Sequence, residues 1–144
     1  MKKLATITLA LLCTSIFFTG CSPESTFQKA EELAKSGRVD EAIKLYTEAA
    51  NEGNSQAQYS LGRAYFTGSG VEKDKKEALK WIKKAAEQGN MYAECQLGYC
   101  YKTGDGIEQD EVEGFKWIEK SAKQGYDLAQ FGLGGCYLIG CGVK

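Results

Sequence analysis

The feature that most constrains the fold is a repeat within the sequence. Residues 54–89 align without a gap with residues 90–125, and half of the aligned residues are identical. A third copy begins at residue 126 and stops at Lys144, halfway through the unit. Repeats of this length form arrays in which each unit buries its apolar residues against its neighbours. The chain is therefore expected to fold as a row of similar units that share a continuous core.

Each complete unit is expected to contain two helices. In the first helix of residues 54–89, Ala57, Leu61 and Tyr65 recur at intervals of four and form one apolar stripe. Gly62 lies beside this stripe and leaves room for a neighbouring helix to approach closely. The segment Gly68-Ser69-Gly70 then ends the helix, because glycine adopts positive φ angles at little cost.

The second helix of the unit begins with a capping signal. Asp74 and Glu77 have the spacing of a capping box, with Asp in place of Ser or Thr, and Asp110 and Glu113 repeat it. Gly89 marks the end of this helix. The residues expected to face the core, spaced three and four apart, are Ala78, Trp81, Ile82 and Ala85. Since no segment alternates with a period of two, the sequence predicts an all-α fold.

Residues 27–53 contain a shorter version of the same unit. The second helix carries small and aromatic residues at the offsets seen in the next unit, and the turn before it is four residues shorter. This segment resembles a tetratricopeptide repeat. The residues at that motif's positions are Ala30, Leu33, Gly37, Ala42, Tyr46 and Ala49.

The longer unit resembles a known family. Its shared residues follow the pattern A-x3-L-G-x2-Y-x2-G-x-G-[VI]-x2-D-x6-W-x3-[AS]-A-x2-G, which is that of the Sel-one-like repeats, a branch of the tetratricopeptide superfamily. The resemblance covers residues 54–89 and 90–125 as full units and residues 126–144 as an incomplete one. It implies a right-handed α-helical solenoid of the kind that serves as a non-enzymatic scaffold or adaptor for other proteins. Stacked helix pairs leave an extended concave face free for such a partner.

Residues 1–20 resemble the signal peptide of a bacterial lipoprotein. Lys2 and Lys3 precede an uncharged, mostly apolar run that is too short to span a membrane comfortably as a helix. The run ends in Thr19-Gly20-Cys21, two small residues before a cysteine, which resembles a lipobox. By that resemblance Cys21 carries the lipid and becomes the first mature residue. An ordinary secretory signal is the alternative.

The lipid implies a location in the cell envelope. Several acyl chains on one cysteine anchor a protein stably without a membrane-spanning helix. Residues 21–26 are then a short tether between the membrane and the repeats. Ser22, directly after the lipid site, resembles the residue found in lipoproteins sorted to an outer membrane. We therefore expect a lipid-anchored protein that faces the periplasm, on the outer membrane.

The composition excludes several kinds of chemistry. The chain contains no histidine, so the commonest general base, the commonest metal ligand and the usual catalytic triads are absent. No two close cysteine pairs have the spacing of a metal site. Without Lys2 and Lys3, acidic residues outnumber basic ones by three and no basic cluster is left, so nucleic acid is not an expected partner. We expect no catalytic residue, no metal and no cofactor.

One short motif suggests an enzyme. Lys102-Thr103-Gly104 matches a motif of serine β-lactamases and penicillin-binding proteins, where it lies on a strand beside a serine from Ser-x-x-Lys. No serine in this chain has a lysine three residues later, and Thr103 and Gly104 correspond to Thr67 and Gly68 at a predicted helix end. Some cysteine-rich members of the family are associated with these activities, and this is the alternative function. Their cysteine pairs join the two helices of a unit, whereas no second helix here contains a cysteine.

Four cysteines follow Cys21 in the chain, namely Cys95, Cys100, Cys136 and Cys141. Cys95 and Cys100 lie about 140° apart around one helix, so they cannot pair with each other. Cys100 and Cys136 both replace Ala64 of the first unit and are expected as small buried residues. Cys136 and Cys141 would be near enough for a disulfide if the helix ends near Gly140, so this pairing is left open.

The expected partner-binding face lies opposite the core stripe of each first helix. At ~100° per residue, this side is rich in aromatic residues, which favour protein interfaces over free solvent. The alternative is that some of these rings pack against the neighbouring unit. The predicted partner-binding residues are Gln56, Tyr59, Arg63, Phe66, Tyr92, Tyr99, Lys102 and Phe131. The other residues at equivalent positions are Cys95, Leu128, Gly135 and Leu138.

The end of the chain raises a third possibility. Helical arrays normally finish with a helix whose outer face is polar, and Lys144 stands before the second helix of the last unit. Ala129, Leu133 and Tyr137 are then expected to have one uncovered side unless a partner covers it. The chain would on this interpretation be a truncated remnant of a longer repeat protein.

Overall fold

The computed structural model describes residues 22–141, and this part of the chain folds into seven α-helices without a strand. The helices are α1 (Pro23–Lys35), α2 (Val39–Asn51), α3 (Ser55–Thr67), α4 (Lys75–Glu87), α5 (Met91–Thr103), α6 (Glu111–Lys123) and α7 (Asp127–Ile139). Each helix packs against the next one along the chain, so α1 with α2, α3 with α4 and α5 with α6 form pairs. The predicted all-α repeat fold is confirmed. Between residues 22 and 141, every helix is too short or too polar to cross a membrane.

Helix α1 begins earlier than the predicted start of the first unit. The Ser22 side chain accepts a hydrogen bond from the backbone N–H of Ser25 at 3.2 Å, and Pro23 occupies the first turn, where its missing N–H costs nothing. Pro23 to Thr26, expected as part of the tether 21–26, are therefore helical. The predicted signal peptide, residues 1–20, and the predicted lipid site Cys21 lie outside the described residues.

The core is shared between successive helix pairs. Its buried side chains form three clusters, and each cluster, together with the partly buried side chains packed against it, draws residues from at least three consecutive helices. Trp81 of α4, for example, packs in one cluster with Leu61 of α3 and Tyr46 of α2. No pair could bury its apolar face alone, which is the physical basis of the array.

Glycines allow the two helices of a unit to touch. A Cβ atom on Gly62 of α3 would lie 2.6 Å from Cγ1 of Ile82 on α4, and one on Gly98 of α5 would lie 2.6 Å from Cγ1 of Ile118 on α6. These distances are shorter than any normal contact. The close approach predicted at Gly62 is therefore confirmed, and its partner is the second helix of the same unit.

The predicted capping boxes form only in part. Asp74 accepts hydrogen bonds from the backbone N–H groups of Lys76 and Glu77, as expected of an N-cap. Glu77 does not return a bond to the N–H of Asp74 and instead pairs with Lys80. The reason is that the N–H of Asp74 already donates to the carbonyl oxygen of Tyr65 at 3.0 Å. That bond ties the end of α3 to the start of α4.

Candidate functional site

Three tyrosine rings line up across the first helices of successive units. Tyr59 lies on α3, Tyr92 on α5 and Tyr126 at the start of α7. The rings of Tyr59 and Tyr92 are stacked with centroids 5.8 Å apart, and those of Tyr92 and Tyr126 meet edge to face at 5.0 Å. Both arrangements are favourable for aromatic pairs. We call these three residues the tyrosine ladder.

The ladder is not a simple product of the repeat. At the position of Tyr126 the other units have Asn54 and Asn90, whose side chains cap α3 and α5 by accepting backbone N–H bonds. Tyr126 makes no such bond at the start of α7. Loss of an N-cap costs roughly 1 kcal/mol, so this chain has an aromatic contact with Tyr92 where the repeat has a cap.

Arg63 is the positively charged neighbour of the ladder. Its guanidinium carbon lies 5.8 Å from the centre of the Tyr59 ring, within the range of a cation–π interaction. Arg63 is exposed, and it also lines a hollow of about 300 Å³ between α1, α2 and α3. Glu31, Tyr46 and Ser60 line the same hollow. Arg63 therefore joins the ladder to a polar recess.

Apart from Arg63, the residues of this recess were not predicted from the sequence to belong to a binding site. Tyr46 was assigned to the core by its place in the repeat, and its ring is indeed buried. Its hydroxyl donates a hydrogen bond to Oε1 of Glu31. A buried tyrosine hydroxyl requires such a partner, and this requirement is the signal that could have pointed to a polar group nearby.

Burial raises the pKa values of three tyrosines of the first helices, Tyr59, Tyr99 and Tyr126, above the usual tyrosine value. It also raises the pKa of the Cys95 thiol, which lies beneath the ladder, to about 11. The ladder therefore presents aromatic rings and hydroxyl groups beside the exposed Arg63 side chain, a composition that suits a protein interface.

The predicted partner-binding residues divide into two groups. Gln56, Tyr59, Arg63 and Tyr92 lie on or beside the ladder. Gln56 is exposed and accepts a hydrogen bond from Nδ2 of Asn90 at 3.2 Å, which joins α3 to the cap of α5. These four residues, together with the unpredicted Tyr126, form the candidate site.

The other predicted residues lie elsewhere. Phe66 packs against the core cluster that contains residues of α5. The hydroxyl of Tyr99 lies against Gly132 of α7, where a Cβ atom would be only 2.3 Å from the hydroxyl oxygen. Nζ of Lys102 is 3.6 Å from Sγ of Cys136 on α7. The next first helix thus covers these three side chains, in agreement with the alternative that some of the face packs against the neighbouring unit. Phe131 on α7 is 82% exposed.

The motif Lys102-Thr103-Gly104 ends a helix. Helix α5 runs to Thr103, and Gly104 follows with φ of +72°. The prediction that this motif is a helix end is confirmed. Four buried free thiols lie in the described part of the chain, at Cys95, Cys100, Cys136 and Cys141. Residues 22–141 contain no cluster of three His, Cys, Asp or Glu side chains arranged to hold a metal ion.

Four stretches of the chain match the sequence model of the Sel1 repeat, at residues 39–54, 55–90, 92–126 and 127–144. The chain belongs to the Sel1 repeat family. This is the family indicated by the Sel-one-like pattern, and Sel1 repeat proteins are generally protein-interaction scaffolds. No curated protein sequence matches this Sel1 repeat chain significantly.

Solved structures show the same architecture. A Sel1 repeat protein from Oxalobacter formigenes is 35% identical, with a TM-score of 0.80 over 86% of this chain and 52% of that one. The protective antigen c5321 of uropathogenic Escherichia coli is 36% identical, with a TM-score of 0.79 over 86% of this chain and 27% of that one. This Sel1 repeat chain thus spans about half the length of the Oxalobacter protein and about a quarter of the length of the E. coli antigen. Helicobacter pylori cysteine rich protein B, at 19% identity and a TM-score of 0.60, covers 74% of this chain and 91% of its own length and shares the fold.

Proposed function

We propose that this Sel1 repeat protein is a non-enzymatic scaffold that binds a protein partner through the tyrosine ladder and Arg63. The observation that carries the proposal is the ladder itself, which replaces a helix cap with an aromatic contact at Tyr126. Tyrosine and arginine, together with tryptophan, are enriched among the residues that contribute most to the binding energy of protein interfaces. The expected partner segment carries an acidic side chain for Arg63 and an apolar or aromatic side chain for the rings.

A photocrosslinking experiment tests this site. A benzophenone amino acid replaces Gln56, an exposed residue beside the ladder, in the producing cell, and a second variant carries it at Lys83, an exposed residue of the second helix α4. We expect irradiation to give an adduct of discrete mass from position 56 and not from position 83. Tyr92→Ala or Arg63→Ala in the same chain should reduce the yield, because each removes part of the proposed site. Equal adducts from both positions, or none from position 56, would argue against the proposed face.

We also propose that the protein is lipid-anchored through Cys21 and faces the periplasm from the outer membrane. The support is the sequence of residues 1–21, with a basic start, an apolar run and two small residues before Cys21. Radiolabelled palmitate should label the wild type, and Cys21→Ser should lose both the label and the membrane fraction. An unlabelled wild type in the soluble periplasmic fraction would favour the ordinary secretory signal.

A further inference from the structure

Helix α7 carries an exposed apolar surface that lies apart from the tyrosine ladder. We call its residues, Leu128, Phe131, Gly135 and Leu138, the end stripe. Leu128 is 50% exposed, Phe131 82% and Leu138 88%. A hollow of about 390 Å³ on this surface is lined by Phe131, Gly134, Gly135 and Leu138. Large exposed apolar side chains grouped in this way mark an interaction surface.

Most of the equivalent positions on the preceding first helices are covered by the next first helix, although Gln56 and Arg63 on α3 are exposed. On α3, Tyr59 stacks on Tyr92 of α5. On α5, Cys95 is only 2% exposed, and Tyr99 and Lys102 lie against α7. The end stripe continues this series of contacts, so its shape and chemistry suit another first helix of the same kind. A second copy of the chain supplies such a helix.

The spacing of the end stripe matches a two-fold antiparallel pairing. Its residues recur at intervals of three, four and three, which is the a/d pattern of a coiled-coil seam. When two such helices cross antiparallel about a two-fold axis, residue 131 of one faces residue 135 of the other, and residue 128 faces residue 138. Phe131 therefore fills the hollow over Gly135, and Leu128 meets Leu138. A two-fold interface requires this kind of self-complementarity.

The charges on α7 are compatible with this pairing. In Asp127–Ile139 the one charged residue is Asp127, which stands in the first turn and outside the end stripe. Two copies of the stripe can therefore meet without opposing like charges. We propose that two copies of this chain associate through their end stripes as a two-fold dimer. The proposal does not rest on the tyrosine ladder or on its partner.

Exchanging the large and the small residue at the dimer contact tests whether residue 131 of one copy faces residue 135 of the other. Sedimentation equilibrium on the chain from residue 22 to residue 144 should give a dimer with a dissociation constant in the micromolar range. Gly135→Phe places two phenylalanines against each other and should weaken the dimer at least tenfold. The double variant Phe131→Ala with Gly135→Phe restores one large and one small residue at each contact and should recover the dimer. Val112→Glu, at an exposed apolar residue of α6 outside the stripe, serves as the control.

A second variant distinguishes loss of the dimer from loss of folding. Phe131→Glu changes an 82% exposed side chain, so it should keep the helical circular dichroism of the wild type and yet be monomeric. A wild-type chain that stays monomeric, or assembles beyond a dimer, overturns the proposal. So does a dimer that survives Phe131→Glu, or one that the double variant fails to restore. Crosslinks from position 56 to another protein would be unchanged by these substitutions, so the two proposals fail independently.

Discussion

Gly98→Ala gives a quantitative test of the close helix contact within a unit. A Cβ atom at Gly98 would lie 2.6 Å from Cγ1 of Ile118, 2.9 Å from its backbone N and 2.9 Å from the carbonyl oxygen of Gly114. Two of these atoms belong to the backbone of α6, which cannot rotate away as a side chain can. The added methyl group must therefore push α5 and α6 apart.

Two opposing effects set the size of the change. Overpacking costs about 1–3 kcal/mol, and backbone contacts place this site at the upper end of that range. Alanine is intrinsically better than glycine inside a helix by about 1 kcal/mol. We therefore expect Gly98→Ala to lower the free energy of unfolding by about 2 kcal/mol.

Urea unfolding followed by helical circular dichroism measures this difference. The matched control is Gly134→Ala on α7, because a Cβ there meets nothing within 4 Å. The control should raise the free energy of unfolding by up to about 1 kcal/mol, since only helix propensity changes. Both variants are compared at a concentration where sedimentation shows monomers. A Gly98→Ala chain that is as stable as the wild type would refute the close-contact argument.

The remaining predictions concern two buried groups beneath the first-helix face. Glu94 is 4% exposed and burial raises its pKa, whereas Gln58 and Gln130 at the same repeat position donate to backbone carbonyl oxygens. The pKa of Glu94 is higher in the folded chain than in the unfolded chain. The stability that Glu94 contributes is therefore complete below its unfolded-state pKa and is lost as the pH rises through its folded-state pKa. Glu94→Gln should therefore raise the free energy of unfolding by roughly 1 kcal/mol at neutral pH and by less in acid. Urea unfolding at several pH values measures this difference, and a difference that does not change with pH would contradict the prediction. Cys95 is 2% exposed with its pKa raised to about 11, so iodoacetamide should leave it unmodified in the native chain and alkylate it in urea. Rapid alkylation of native Cys95, read by mass spectrometry, would contradict the described packing.

Much of the candidate site followed from helical spacing. Tyr59 and Arg63 were predicted to share one side of α3, and the structure brings them within reach of each other. Tyr126 was not predicted, because it occupies a helix-cap position in the repeat rather than the predicted face. Its ring reaches Tyr92 through the stacking of α7 on α5. Lys102 is the opposite case. Its position around the axis of α5 placed it on the predicted binding face, but its side chain contacts Cys136 of the next first helix.

The sequence by itself determined the repeat, the all-α architecture and the points at which helices end. Gly104, for example, follows α5 with a positive φ angle that glycine adopts easily, and such local preferences can be recognised without a structure. Only the tertiary structure decided which face of a first helix stays open. Helical spacing gives the direction of a side chain from its own helix axis, but burial depends on where the next helix lies. On α3 and α5 that neighbour covers Phe66, Tyr99 and Lys102, whereas on α7 Phe131 and Leu138 are exposed.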